Sequence, residues 1–350
     1  MPWASIDSPT PPDSFYGSTD TLSMPTDLFT LVDGMEAAAL TGTVPPACRR
    51  GVDGGQLSVR AETAILESPT WTPRHAVRHL VPSFSLLNPV GCSFRFEVSA
   101  FSGGSWTPWV ATATIGPAVF PDEQPQVEKL LAEIDTYAAP QPLEHVRLRV
   151  RVQPARALSG PWVVALSASD LGTVRPVVDH ARTATVLDVP PLSQRDEEPA
   201  IQDRICSPTC VAMVLAFWGR RVSITDIAAE VFHAGLDRYG VWPAAIHAAA
   251  RRGVAGYLLR FPDWASAAWC LGQGLPVIAS IRFEAGELEG TPLARSDGHL
   301  VVLTGEEGDH VLVNDPAAAS SRDVPRRYRR EEFCRAWLER SGVGYVLFAP

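Results

Sequence analysis

Cys206 and His299 lie far apart in the chain, yet they are residue types that do acyl-transfer chemistry when brought together. Cys206 opens CSPTCVAMVLAFWG, residues 206–219. Pro208 falls near a first helical turn, where its missing N–H is tolerated. Val211, Val214, Leu215 and Trp218 then recur at helical spacing, and Gly219 is a stop signal. A thiol at a helix N-terminus meets unpaired backbone N–H groups and the positive end of the helix dipole, and both favour thiolate over thiol. A cysteine beside an apolar helix is more often plain core. The partner downstream is what raises it above that reading.

That partner lies in SDGHLVVLTGEEGDHVLVNDPA, residues 296–317. Two apolar runs flank a polar EEGD, the pattern of a β-hairpin. With residues 307 and 308 at the centre of the turn, His299 faces Asp315, Val301 faces Val313 and Leu303 faces Val311. All six share one face of the ladder. A one-residue slip would send Asp315 to the other face. In the expected register an imidazole has a carboxylate beside it, which fixes its tautomer and stabilises its protonated form. Cys, then His, then Asp in chain order is the trace of a cysteine hydrolase.

The elements that must position these groups run helix first and sheet later. Residues 223–235 form a helix capped by Ser223 or Thr225, and 241–253 and 263–274 form two more. Residues 275–283 are a buried strand, the hairpin follows, 329–340 are a helix and 344–350 a closing strand. Helices followed by an antiparallel sheet make an α+β fold, with the cleft between the Cys206 helix and the sheet that carries His299.

At this point the chain resembles a family. The order Ser-Gln at 193–194, Cys-x-Pro in 206–219, GHLVVL at 298–303 and NDPA at 314–317 is similar to the papain-like, bacteriocin-processing (double-glycine) peptidases of cysteine-peptidase family thirty-nine and their stand-alone relatives. EEF at 331–333 and Trp337 fit as well, and the resemblance covers roughly residues 186–350. It implies Cys206 as nucleophile, His299 as general base and Asp315 as the orienting acid. It also implies a glutamine as oxyanion-hole donor, with Gln194 the match and Gln202 the rival. Ser207 stands where many relatives have glycine, and Cys210 where a small hydroxyl residue is usual. The activity implied is cysteine-peptidase or amide-hydrolase action on a peptide or protein substrate, through a thioester. The alternatives are an inactive papain-fold binding module and a cysteine acyltransferase on the same three residues.

The 350 residues suffice for two cores. Residues 1–54 read as a partly irregular N-terminal extension, 55–170 as an all-β sandwich, jelly-roll-like, 171–190 as a linker and 191–350 as the papain-like domain. The sandwich is expected from 58–66, 76–87, 92–101, 107–115, 145–153 and 162–169, short alternating or apolar runs separated by Gly, Pro and Ser. Residues 127–137, VEKLLAEIDTY, suit either a strand or a short helix. Such a sandwich suits a carbohydrate or protein ligand, although most of its tryptophans are expected in the core. A net charge of −9 argues against nucleic acid as a partner. No apolar run is long enough to span a membrane, and the Pro-, Ser- and Asp-rich start has no signal-peptide pattern, so a cytoplasmic location is the default expectation. The six cysteines are scattered without a disulfide framework. Cys206 and Cys210, with His233 or His247, would be half of a metal site, but a second tight pair is missing. Neither a metal nor a cofactor is expected.

Overall fold

A computed structural model describes residues 26–88, 90–120, 127–170 and 185–350. The first 25 residues and most of the expected linker, 171–184, lie outside the described residues.

In the N-terminal part the chain forms β1 (Asp27–Asp33), α1 (Ala37–Thr43), β2 (Arg49–Asp53), β3 (Gln56–Arg60), β4 (Thr63–Glu67), β5 (Val77–Leu86), β6 (Ser93–Ser102), β7 (Ser105–Trp106), β8 (Val110–Ala111), β9 (Leu131–Ala132), β10 (Tyr137–Leu143), β11 (His145–Gln153) and β12 (Trp162–Ser169). They build two six-stranded sheets, ordered β2-β1-β12-β5-β10-β9 and β3-β4-β11-β6-β7 with β8 on β6. Alternation explains the packing. β11 turns Val146, Leu148, Val150 and Val152 inward and its arginines outward, and Phe94, Phe96 and Val98 of β6 join them in a core shared with Phe84 of β5 and Leu166 of β12. Outside this core, Trp106 and Trp109 stack with the guanidinium of Arg147 at 4.1 and 5.2 Å, and Arg149 lies 3.8 Å over Trp109.

Several sequence expectations are corrected here. Residues 27–53 are not an irregular extension: β1 lies between β2 and β12, paired along its whole length to β12. Its apolar DLFTLVD is too short a signal to be separated from a loop without its partner. Residues 58–66 are not one strand but parts of β3 and β4, which turn back at Ala61, where φ is +53°. Only Val110–Ala111 of 107–115 is strand, and 127–137 is largely turn, with two residues of β9 before β10 begins.

The C-terminal part continues as α2 (Cys206–Phe217), α3 (Ile224–Val231), α4 (Trp242–Ala250), β13 (Ala255–Arg260), α5 (Trp264–Gly272), β14 (Val277–Phe283), β15 (Ser296–Glu307), β16 (His310–Asn314), β17 (Pro325–Arg329), α6 (Arg330–Trp337) and β18 (Val343–Phe348). Its sheet has the order β13-β18-β14-β15-β16-β17 and is antiparallel throughout. β13 and β17 were not expected from the sequence. Helices α2, α3 and α4 cover one face, meeting Leu258, Ile278, Leu300 and Val302. α5 and α6 cover the other, meeting Tyr257, Val301, Leu303 and Val313. α2 is buried on all sides from Ser207 to Leu215, which suits its nearly uncharged sequence. It ends with Gly219 at φ +74° and the Arg220 N–H donating to Leu215 O at 2.8 Å, a left-handed stop that glycine adopts without strain.

The edge strand β13 is where the two parts join. Its outward N–H groups would be unpaired. Instead Gly256, Leu258 and Arg260 donate them to the hydroxyls of Ser85, Ser83 and Ser167 at 3.1, 3.0 and 3.0 Å. Three serines on one sheet face thus finish the backbone bonding of another sheet. Tyr257 adds a bond from its hydroxyl to Thr43 O at 2.6 Å. His247 of α4 is buried with Nε2 3.6 Å from the Cys92 sulfur, and His233 Nε2 lies 2.9 Å from Thr114 O. α3 ends at Val231, short of the expected 235, so His233 follows it, and both His233 and His247 of α4 serve the junction.

Ser83→Ala and Ser85→Ala each remove the hydroxyl to which a buried N–H donates. Each is expected to cost about 1–3 kcal/mol in urea unfolding. Ser58→Ala, on the exposed edge strand β3, is expected to stay within about 0.5 kcal/mol.

Candidate active site

Cys206 is the first residue of α2, half-buried, preceded by Ile205, whose side chain makes no capping bond. The helix N-terminus thus keeps its donors for the sulfur, which the backbone N–H groups of Ser207 and Leu300 reach. Leu300 follows His299 on β15, so the same contact that anchors α2 on the sheet sets the thiol beside the imidazole.

His299 is 2 % exposed, and its Nε2 lies 2.8 Å from Asp315 Oδ1. That bond leaves Nδ1 for the Cys206 sulfur, to which the ring is hydrogen-bonded. Asp315 is fully buried and fully engaged: Oδ1 also accepts the Ala317 N–H at 2.9 Å, and Oδ2 accepts the Tyr328 hydroxyl at 2.7 Å.

Burial alone would push the Cys206 thiol up, but the hydrogen bond and charge of His299 outweigh it and the thiol lies below its ordinary value. Burial would likewise push the imidazole down. The Asp315 charge and hydrogen bond outweigh that, and His299 is pushed up to about 10. Asp315 is held below the usual carboxylate range, burial being overcome by the His299 charge. The three shifts support one another, since each charge favours the charged form of its neighbour. Cys210, one turn along α2, takes no part. It is buried, its S–H donates to Leu300 O at 3.3 Å, and burial pushes its thiol well above the ordinary value.

The hairpin carrying His299 and Asp315 departs from the expected register. Leu303 pairs with Val313 and Val302 with Asn314, two residues away from the expected partners. In that register the imidazole reaches the carboxylate diagonally along the face and not from the directly opposite position. A shift of two keeps every side chain on its face, so Val301, Leu303, Val311 and Val313 all still enter one core. The turn lies later than expected, with Glu307 paired to His310, and a β-bulge between Leu303 and Gly305 absorbs the odd residue. Gly305 is needed there, since a Cβ would come within 3.0 Å of Thr185 O and 3.1 Å of Val186 Cα.

The segment passing over that bulge leads to the glutamines. Leu187 N–H bonds Thr304 O at 2.7 Å, and Val189 O accepts Asn314 Nδ2 at 2.8 Å. Ser193 then donates to Ala318 O at 2.6 Å, and the Gln194 N–H to Pro316 O at 2.9 Å. Gln194 is therefore fastened to the turn that follows Asp315. It is buried, its Nε2 donates to the backbone carbonyl of Gln202 at 2.7 Å, and its Oε1 has no partner among the described residues. Gln202 is half-buried and enters this network through its backbone.

Sequence reasoning missed Tyr328. It is the one buried residue of β17, PRRYR, and a lone aromatic among alternating arginines was the available signal. Among the described residues no group of three or more His, Cys, Asp and Glu side chains is placed to hold a metal ion. Among the same residues no helix is long and apolar enough to cross a membrane.

Cys206 thus opens a helix, His299 lies on β15 and Asp315 on the turn after β16. Residues 186–345 match the family model described as "Peptidase_C39 like family". Among solved structures, the chain is similar to a double glycine motif protease from an AMS/PCAT transporter in complex with the leader peptide (20 % identity, 51 % of this chain and 100 % of that one, TM-score 0.34). It is also similar to a putative C39-like peptidase from Bacillus anthracis (20 %, 47 % and 98 %, TM-score 0.38). A third likeness is to the peptidase domain of Streptococcus ComA, a bi-functional ABC transporter involved in quorum sensing (16 %, 46 % and 99 %, TM-score 0.33). No curated protein matches.

Site-resolved alkylation by iodoacetamide is expected to label Cys206 at pH values below those that label Cys92, whose thiol burial pushes up to about 12. In His299→Ala only burial and the backbone donors remain, so the labelling midpoint of Cys206 moves up. Tyr328→Phe removes one donor to a buried carboxylate and is expected to cost about 1.5–3 kcal/mol of stability, while His299 keeps its bond.

Proposed function

We propose that the chain is a cysteine peptidase or amide hydrolase acting on peptide or protein substrates. The hydrogen-bonded row of Cys206, His299 and Asp315, with the carboxylate on the far ring nitrogen and shifts that favour thiolate and imidazolium, carries this reading. The Cys206 sulfur attacks the carbonyl carbon, and the carbonyl π pair moves to oxygen. The Cys206 backbone N–H and the Gln194 side-chain amide serve as donors to that oxyanion, each worth roughly 3–4 kcal/mol of barrier. As the tetrahedral intermediate collapses, the C–N bond breaks and His299 passes its Nδ1 proton to the leaving amine. A thioester remains. His299, now neutral, takes a proton from water as its oxygen attacks; the C–S bond breaks and the thiolate returns. Asp315 keeps the ring in the tautomer and orientation that both half-reactions need.

The division of labour belongs to the same proposal. The C-terminal part from residue 185 acts as the papain-like domain, and the two N-terminal sheets act as an accessory β-sandwich.

Mass spectrometry of an unbiased peptide pool tests this. Wild-type protein is expected to cut peptides, and Cys206→Ala and His299→Ala to leave them intact. Cutting by the Cys206→Ala variant, or none by the wild type, would overturn it. Gln194→Ala is expected to lower kcat about 10²–10³-fold and Gln202→Ala far less; the reverse order moves the oxyanion donor to Gln202. Activity is expected to fall as pH rises through about 10, where the imidazolium loses its proton.

A further inference from the structure

The cleft over Cys206 has a volume of about 620 Å³, and it is not built by the C-terminal part alone. Glu133, Ile134, Asp135 and Thr136, between β9 and β10, form one of its walls. This wall is anchored at several points. Ile134 packs against the core of α2, α3 and α4, and its carbonyl accepts the Ala113 N–H at 3.2 Å. Asp135 Oδ2 accepts the backbone N–H of Trp242, the first residue of α4, at 2.9 Å. Thr114, bonded to His233, ties the neighbouring chain to the same helices.

The charges of the cleft divide unevenly. Arg204 and Asp237 neutralise each other at 2.9 Å. On the sheet side Arg282 and Asp297 line the cleft with opposite signs. The N-terminal wall brings two carboxylates, Glu133 and Asp135, against the single guanidinium of Arg238. Asp135 makes no ion pair among the described residues. Burial and the neighbouring Glu133 push its carboxyl up to about 6, so its ionised form gains from an added cation.

We propose that the N-terminal two-sheet unit is part of the substrate-binding surface, with Glu133 and Asp135 forming a subsite beside Cys206 that receives a cationic group of the peptide. That group is a lysine or arginine side chain or a free α-amino group. The inference rests on the peptidase reading and names a substrate class for it. The two carboxylates are specificity determinants, reading the substrate through charge while the wall fixes how far from the sulfur that charge sits.

Cys206 itself is the probe. Its rates of modification by a trimethylammonium-bearing and a sulfonate-bearing ethyl methanethiosulfonate are measured in the full chain and in Asp135→Asn and Glu133→Gln. The ratio of the two rates cancels any change in thiolate fraction. The amide introduced by Asp135→Asn still offers an oxygen to the Trp242 N–H, and Glu133 is exposed, so both variants keep the fold. The cation-to-anion ratio is expected to fall by at least about threefold in each variant, the scale of one charge removed near a protein surface. A ratio unchanged in both overturns the subsite, whatever peptides do. Peptides ending in a free or acetylated amine, with and without lysine, separate the two sources. A KM preference lost on acetylation assigns the α-amino group, and one that follows lysine assigns the side chain. If the ratio shifts but no peptide is cut, the subsite stands and the peptidase reading falls.

Discussion

The hydrogen bond between His299 and Asp315 is the constraint on which the rest of the site depends. An imidazolium buried to 2 % exposure has almost no water to stabilise its charge, so a carboxylate must do so. That carboxylate is buried too, and needs the Tyr328 hydroxyl and the Ala317 N–H to complete its own bonding. With this chain of partners satisfied, the charge and hydrogen bond of His299 lower the Cys206 thiol against the effect of its burial. Removing one member leaves an uncompensated buried charge, which costs more than the intact set contributes.

Each partner comes from a different element, and this explains the architecture around it. β15 carries His299, the turn after β16 carries Asp315, β17 carries Tyr328 and α2 presents the thiol. The bulge before Gly305 and the segment from Leu187 to Gln194 lock these pieces together through backbone bonds. The same physical rule joins the N-terminal sheets to the rest. A buried strand edge must find acceptors, and Ser83, Ser85 and Ser167 supply them. The junction in turn holds the segment from Glu133 to Thr136 against α4, where it becomes a wall of the cleft. The edge strand β13 is thus a structural link between the two N-terminal sheets and the cleft that Cys206 lines.

Local pattern was enough for much of this. The start of α2 at Cys206, its stop at Gly219, the Ser223 cap of α3 and the helix that became α4 follow from capping chemistry and spacing within a few residues. That His299 and Asp315 would meet was legible as well, because alternation along a strand tells which residues share a face. Alternation does not tell how far two strands slide by even steps. The hairpin therefore kept its faces while its register moved by two, and the bulge that absorbed the odd residue was invisible in a run of small and acidic residues.

What only the tertiary structure decided involves partners distant in sequence. β1 became an interior strand because β12, far along the chain, accepted it. Tyr328 acquired a role because β17 paired with β16 and brought its hydroxyl to Asp315. Glu133 and Asp135 came to line the cleft because three serines met the edge of another sheet. A sequence records the preferences of a residue over a turn of helix or a few strand positions. Which remote surface satisfies its remaining polar groups is settled when burial removes water as the alternative partner.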